Sequence, residues 1–184
     1  DWLGPQRLRL TRVHELLDAP PDVVEAADPI QLPAARGAIE FDEVSLDLGR
    51  GEILGSVAFK ASPGETVAIV GPSGSGKSTM ADLLVRLLDP DSGVVRLDGV
   101  DVKRLALDDL RRHVVLVDQD PTLFHASIEE NIRYARPEAS ADHLGRVIGQ
   151  SGVDEMLVRL PDGLRTIVGE RGTALSAGER RRLA

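Results

Sequence analysis

The stretch GPSGSGKST, Gly71 to Thr79, constrains this chain more than any other. It fits G-x-x-x-x-G-K-[ST], and its surroundings suit that pattern. The apolar run ETVAIVG, residues 65–71, reads as a buried parallel strand. In KSTMADLLVRLLDP, which follows, Met80, Leu83, Leu84, Leu87 and Leu88 recur at helical spacing. A strand, a glycine-rich turn and a helix together make a phosphate cradle. The glycines let successive backbone N–H groups curl into an anion-binding nest, and the helix points its positive end at the same phosphates. Lys77 can reach the β- and γ-phosphates of a nucleotide, and Ser78 can ligate Mg²⁺. The candidate phosphate-binding residues are therefore Gly71, Pro72, Ser73, Gly74, Ser75, Gly76, Lys77, Ser78 and Thr79.

The rest of the chain reads as α/β. Residues 1–18 look helical, with Leu10, Val13, Leu16 and Leu17 on one face, and Asp18-Ala19-Pro20-Pro21 ends the run. The proline-rich stretch up to Arg36 has no clear period and reads as a linker lying on a surface. AIEFDEVSLDLG and GEILGSVAFKA suggest an antiparallel edge, and GVVRLDGVDV a strand pair turning at Asp98-Gly99. ALDDLRRH is a short helix, and VVLVDQD, 114–120, a second buried strand ending near Gln119. From residue 121 the pattern turns helical and polar. At the carboxyl end of a parallel strand beside the phosphate crevice, Gln119 could ligate Mg²⁺ or hold a water; as a residue by itself it reads sooner as a solvated loop glutamine.

Composition narrows the class. A net charge of -8 argues against a nucleic-acid partner. With no cysteine there is neither a disulfide framework nor a thiolate metal site. No apolar run reaches the ~18 residues of a membrane span. Aromatic residues make up only 3%, so the core must rest on Leu, Val, Ile and Ala.

Taken together, the motifs resemble the nucleotide-binding domain of ATP-binding cassette (ABC) transporters. GPSGSGKST resembles the family's Walker A motif, VVLVDQDPTLFHASIEENI its Q-loop region, and LSAGE, 175–179, its signature, usually written L-S-G-G-Q. TIVGERG, 166–172, is similar to the X-loop of exporters, and TRVHELLDAPP to the stretch joining an exporter's last membrane helix to this domain. The resemblance runs from about residue 38 to 184. It implies a P-loop NTPase core, a mixed sheet with an antiparallel β edge, and a helical subdomain over about 121–184. Residues 1–36 would be the linker from the transmembrane domain, and 37–184 the nucleotide-binding domain.

The resemblance also implies the chemistry. ATP and Mg²⁺ are the cofactors, with Lys77 and Gln119 in catalytic roles and Ser78 and Gln119 as metal ligands. Two such domains pair head to tail, as a homodimer or heterodimer, with Ser176 and Gly178 facing the γ-phosphate bound to the partner. Coupling helices of a transmembrane domain are further partners. The intact protein would be an ATPase that drives export, at the cytoplasmic face of the cell membrane.

Several positions depart from the family. Leu48 stands where an aromatic usually stacks on adenine, and stacking on an aromatic is worth roughly 1–3 kcal/mol. Ala177 and Glu179 replace the usual Gly and Gln of the signature, and Asp118 stands where proline is common. Glu179 would set a carboxylate near a polyphosphate unless Arg180 or Arg181 offsets it. These changes also fit a degenerate, non-hydrolysing half of a heterodimer. The family's Walker B strand, with its Asp-Glu pair, and its switch histidine follow the signature; none lies within the 184 residues. The C-terminal part of the core is therefore expected to be missing. The 184 residues alone should turn over little ATP and leave Val67, Ile69, Val115 and Val117 uncovered.

Overall fold

The computed structural model describes residues 18, 19, 21, 23–49 and 51–184. The helix expected over residues 1–18 lies almost wholly outside them. The chain divides into two compact units, one running through Leu116 and the other Val117–Ala184.

The first unit is built on a four-stranded antiparallel sheet. Strand β1 (Ile39–Asp47) pairs with β2 (Glu52–Ala61) on one side and β3 (Ser92–Leu97) on the other. A short β4 (Val100–Asp101) closes the order β2-β1-β3-β4. The expected turn at Asp98-Gly99 is present: both residues have positive φ, 51° and 82°, as a two-residue hairpin of type I′ requires. The register between β1 and β3 shifts between Asp42 and Ser45. Opposite that bulge stands Gly93, whose φ is +79 and whose missing Cβ would strike the carbonyls of Asp42 and Glu43. Only glycine fits so close a backbone approach.

Helix α1 (Lys77–Leu84) lays Met80 and Leu83 against this sheet, where they join Phe41, Val44, Leu54, Val95 and Leu97 in one core. Val102, Leu105 and Leu110 extend that core below α2 (Leu107–His113). Fully burying a leucine such as Leu83 stabilises the fold by roughly 1.5–3 kcal/mol. The helical spacing predicted α1 to run on to Leu88, but it ends at Val85. The next residue, Arg86, has φ 53 and is buried, with its guanidinium turned onto Asp89 and the carbonyl of Val24.

The segment read as a surface linker is bonded to this unit. Ile30 bridges to Leu105 in parallel fashion. Leu32 N–H donates to buried Asp109, and the Asp98 carboxylate accepts from the N–H groups of Arg36, Gly37 and Ala38. Glu25 accepts from Leu107 N at 2.8 Å, a cap for α2 that its own N-cap, Ala106, does not supply.

Two expected strands are absent from the ladders. Residues 65–71 and 114–120 carry no strand pairing among the described residues, and Val67, Ile69, Val70, Val115 and Val117 are exposed. An apolar run becomes a parallel strand only when neighbours take up its N–H and C=O groups.

The second unit is helical. Helix α3 (Ile128–Arg133) opens on a full capping box between Ser127 and Glu130. Helix α4 (Ala141–Ser151) buries Leu144 and Ile148, one turn apart, and ends at Gly152 with φ 70. Helix α5 (Val153–Leu157) adds Val153 and Met156 to the same core as Leu123, Ile128, Val168 and Leu175. The 166–172 loop is tied to the start of α3: Ile128 N–H donates to Thr166 O and Val168 N–H to Ala126 O. Helix α6 (Ala177–Leu183) closes the core with Leu183. Among the described residues no helix is long and apolar enough to cross a membrane.

Candidate functional site

The glycine-rich loop is held from within by its lysine. Lys77 Nζ donates to Gly71 O at 2.9 Å and Pro72 O at 2.6 Å, with Ser75 Oγ at 3.3 Å. The loop wraps its own cation because Gly74 and Gly76 both take φ 81. These two glycines do different work. A Cβ on Gly76 would lie 2.5 Å from Leu54 Cδ2 and 3.0 Å from Ile53 O, so this glycine seats the loop against β2. A Cβ on Gly74 would meet nothing within 4 Å, so this position is tied to glycine by its backbone angle and not by space. Gly76 is also the N-cap of α1 and offers no side-chain cap. The first-turn N–H groups of Lys77, Ser78 and Thr79 therefore lack an intrahelical partner and suit an anion. Ser78 is exposed at that helix start, while Ser73 and Ser75 lie in the exposed turn. A cluster of donors, one ammonium and a free hydroxyl fits a polyphosphate with its divalent cation.

The second glycine-bearing helix start, at α6, is built differently. Ser176 Oγ accepts from Glu179 N–H at 3.3 Å. Glu179 Oε2 accepts from Ser176 N–H at 2.8 Å and from Ser176 Oγ–H at 2.7 Å. This reciprocal box satisfies two of the orphan donors. The bonds from the Ser176 hydroxyl and backbone N–H hold the Glu179 carboxyl below the usual glutamate range; burial opposes this, and the charges of Arg159 and Arg182 reinforce it. The other oxygen, Oε1, accepts from Arg159 Nη2 at 2.7 Å. Gly178 is exposed, with open space where a Cβ would be.

Gln119 lies in the same unit. Its N–H donates to Asp118 Oδ1 at 2.6 Å, and its carbonyl accepts from Arg181 Nε at 3.0 Å. Asp118, Gln119, Asp120, Ala177 and Arg181 line one open groove, which joins the glutamine to the start of α6.

The family model described as ABC transporter matches residues 54–184. The chain belongs to the ABC transporter family. It is 40% identical over 177 residues to a beta-(1→2)glucan export ATP-binding/permease protein of Nitrobacter winogradskyi, covering 96% of this chain and 29% of that one. It is 44% identical over 182 residues to the mycobactin import ATP-binding/permease protein of Mycolicibacterium thermoresistibile, covering 99% of this chain and 31% of that one. The fold is similar to that of a bacterial Atm1-family ABC exporter solved with ATP bound. The TM-score is 0.89 at 37% identity, over 96% of this chain and 31% of that one. The chain thus spans under a third of the length of these relatives.

Within the family's terms, the first unit brings the Walker A residues together around Lys77, and the second brings Gln119, Ser176 and Gly178 to one end of α6. Leu48 is half exposed in the turn after β1, where the Asp47 carboxylate accepts from Gly49 and Gly51 N–H. One expectation is corrected. Neither Arg180 nor Arg181 pairs with Glu179; Arg180 Nη1 donates to Leu175 O and Arg181 to Gln119 O, and the cation bonded to Glu179 is Arg159, with the charge of Arg182 nearby. Residues one and two apart on a helix do not face each other, which already disfavoured the adjacent arginines. Arg159, twenty residues upstream, gave no local signal.

Proposed function

We propose that this chain is the ATP-driven part of a membrane transporter of exporter architecture, in which ATP binding and hydrolysis drive movement of a substrate. The observation that supports this best is the loop at Gly71–Thr79, where Lys77 is wrapped by loop carbonyls at the uncapped start of α1. The relative named for glucan export and the relative named for mycobactin import share this region. "Exporter" here therefore describes an architecture rather than a direction. Residues 1–36 join the domain to a transmembrane part, residues 37–184 are the nucleotide-binding domain, and about 121–184 form its helical subdomain. The assembly sits at the cytoplasmic face of the membrane, with coupling helices as partners.

Each residue has a role in this reading. Lys77 exchanges loop carbonyls for β- and γ-phosphate oxygens, and the N–H groups that start α1 hold the same phosphates. Mg²⁺ bound with ATP would supply charge that neutralises the polyphosphate, with Ser78 as its ligand on α1 and Gln119 as a further ligand or water holder. Gly71, Pro72, Ser73, Gly74, Ser75 and Thr79 shape the cradle, and Leu48 packs on the adenine. A second nucleotide-binding domain pairs head to tail, so that Ser176 and Gly178 face its γ-phosphate. The Ala177 and Glu179 substitutions favour a second reading, a half that binds ATP without hydrolysing it.

The test is Lys77→Ala in the intact transporter. Losing a charge-assisted bond of about 1.5–3 kcal/mol should weaken ATP binding about ten- to a hundredfold. Unchanged ATP affinity would refute the reading. Tight ATP binding by the unmutated protein without phosphate release would select the second reading.

A further inference from the structure

Glu179 sets a carboxylate in the first turn of α6, beside Ser176 and Gly178. Its two oxygens are divided between two partners. Oε2 is committed to the N–H and hydroxyl of Ser176, and Oε1 is committed to Arg159. Arg159 lies beyond the end of α5, with its N–H bonded to Met156 O. Its side chain is 66% exposed, whereas that of Glu179 is 17% exposed. So exposed an ion pair adds little to folding. Its electrostatic effect is local: without Arg159, the Oε1 edge would lose its bonded cation next to Gly178 and three residues from Ser176, with only the charge of Arg182 left to act on it.

We infer that Arg159 is a positioning residue for the signature loop, holding and neutralising Glu179 so that the Ser176–Gly178 turn can accept a polyphosphate carried by a paired domain. The inference rests on the nucleotide-facing reading of that turn. Arg159 itself touches no nucleotide in this account and acts through Glu179. The other nearby cations have separate partners: Arg182 bonds Glu155, Arg180 bonds Leu175 O, and Arg181 bonds Gln119 O. The pairing is specific in chemistry too. A glutamine at 179 would keep an oxygen for the Ser176 cap but carry no charge, and it would have no need of Arg159.

The experiment uses the intact transporter with Arg159→Gln, Arg159→Lys, Glu179→Gln, the Arg159→Gln/Glu179→Gln double variant and Lys77→Ala. ATP-dependent approach of the two nucleotide-binding domains is followed by energy transfer between labelled copies. ATP binding and the thermal midpoint are measured beside it. Arg159→Gln should raise the ATP concentration for half-maximal approach about tenfold, more at low salt, with the thermal midpoint unchanged. Arg159→Lys should restore most of the loss, and in the Glu179→Gln background Arg159→Gln should have no effect. An unchanged half-maximal concentration for Arg159→Gln, or an equal shift in both backgrounds, would overturn the inference. If Lys77→Ala leaves ATP binding and approach unaltered, the nucleotide reading itself fails and this inference falls with it.

Discussion

Two glycine-bearing helix starts, those of α1 and α6, solve the same electrostatic problem in opposite ways. At α1 the N-cap is Gly76, with no side-chain cap, and a lysine crosses the loop in front of it. At α6 the N-cap is Ser176, with a complete capping box to Glu179. The α6 box has the same form as the one at α3, from Ser127 to Glu130. Every helix start has orphan N–H groups. Where a Ser-x-x-Glu pair closes the end, two of those groups are satisfied within the chain; where glycine leaves it open, water or a ligand takes them. A glycine-rich turn before a helix is thus not enough to mark a primary phosphate site; an open cap with a cation in front of it is what sets α1 apart.

Lys77→Ala should have the largest effect on that contrast, through ATP affinity at the open end, as set out above. Gly76→Ala comes next and acts on folding. The new Cβ would meet Leu54 and Ile53 in a backbone conformation with φ 81. Strain alone costs about 1–3 kcal/mol, so denaturant unfolding of the first unit should show a loss of at least that size. Gly178→Ala, with open space and an ordinary backbone, should leave stability unchanged or slightly raised, while nucleotide-driven pairing suffers. Equal destabilisation by both alanines would erase the distinction between the two turns.

Leu48→Tyr probes the first unit at the base rather than the phosphates. If Leu48 lies on the adenine, an aromatic there should tighten ATP binding by roughly 1–3 kcal/mol in a titration. A flat response with the fold intact would remove Leu48 from the site. Smaller again is Ser176→Ala, which should lower the stability of the second unit by about 1 kcal/mol, as should Ser127→Ala at the equivalent box.

Acid should act on both units. Glu130 and Glu179 are held below the usual glutamate range, first by the hydroxyl bonds of Ser127 and Ser176. Asp98 is likewise lowered: burial pushes it up, but the N–H groups of Ala38, Arg36 and Gly37 outweigh this. A carboxyl depressed by folding contributes stability above its unfolded pKa and loses it as pH falls through the folded one. Thermal midpoints should therefore fall below the normal carboxylate range. In Asp98→Ala the first unit should already be destabilised at neutral pH and lose less on acidification.

What was legible in the sequence was local. The phosphate loop, the antiparallel hairpins, the Asp98-Gly99 turn and the helical character from residue 121 all follow from residues within a few positions of one another. What was not legible was contact at long range. Glu25 caps α2 from 82 residues away, and Asp109 receives Leu32 from 77. The stretch up to Arg36 consequently read only as a linker lying on a surface, and the bonds that fix it there were not foreseen. The runs at 65–71 and 114–120 have strand composition, but pairing belongs to neighbours, which composition does not name. Glu179 was recognised as a charge problem, and its solution at Arg159 lay twenty residues upstream.

Site-resolved amide hydrogen exchange, with and without Mg-ATP, tests the contrast between the two helix starts most directly. The N–H groups of Lys77, Ser78 and Thr79 should exchange readily without nucleotide and become protected with it, whereas the Glu179 N–H should be protected in both conditions by Ser176. First-turn amides of α1 that are already protected without ATP, or that do not respond to it, would contradict the claim that this helix start was left open for phosphate.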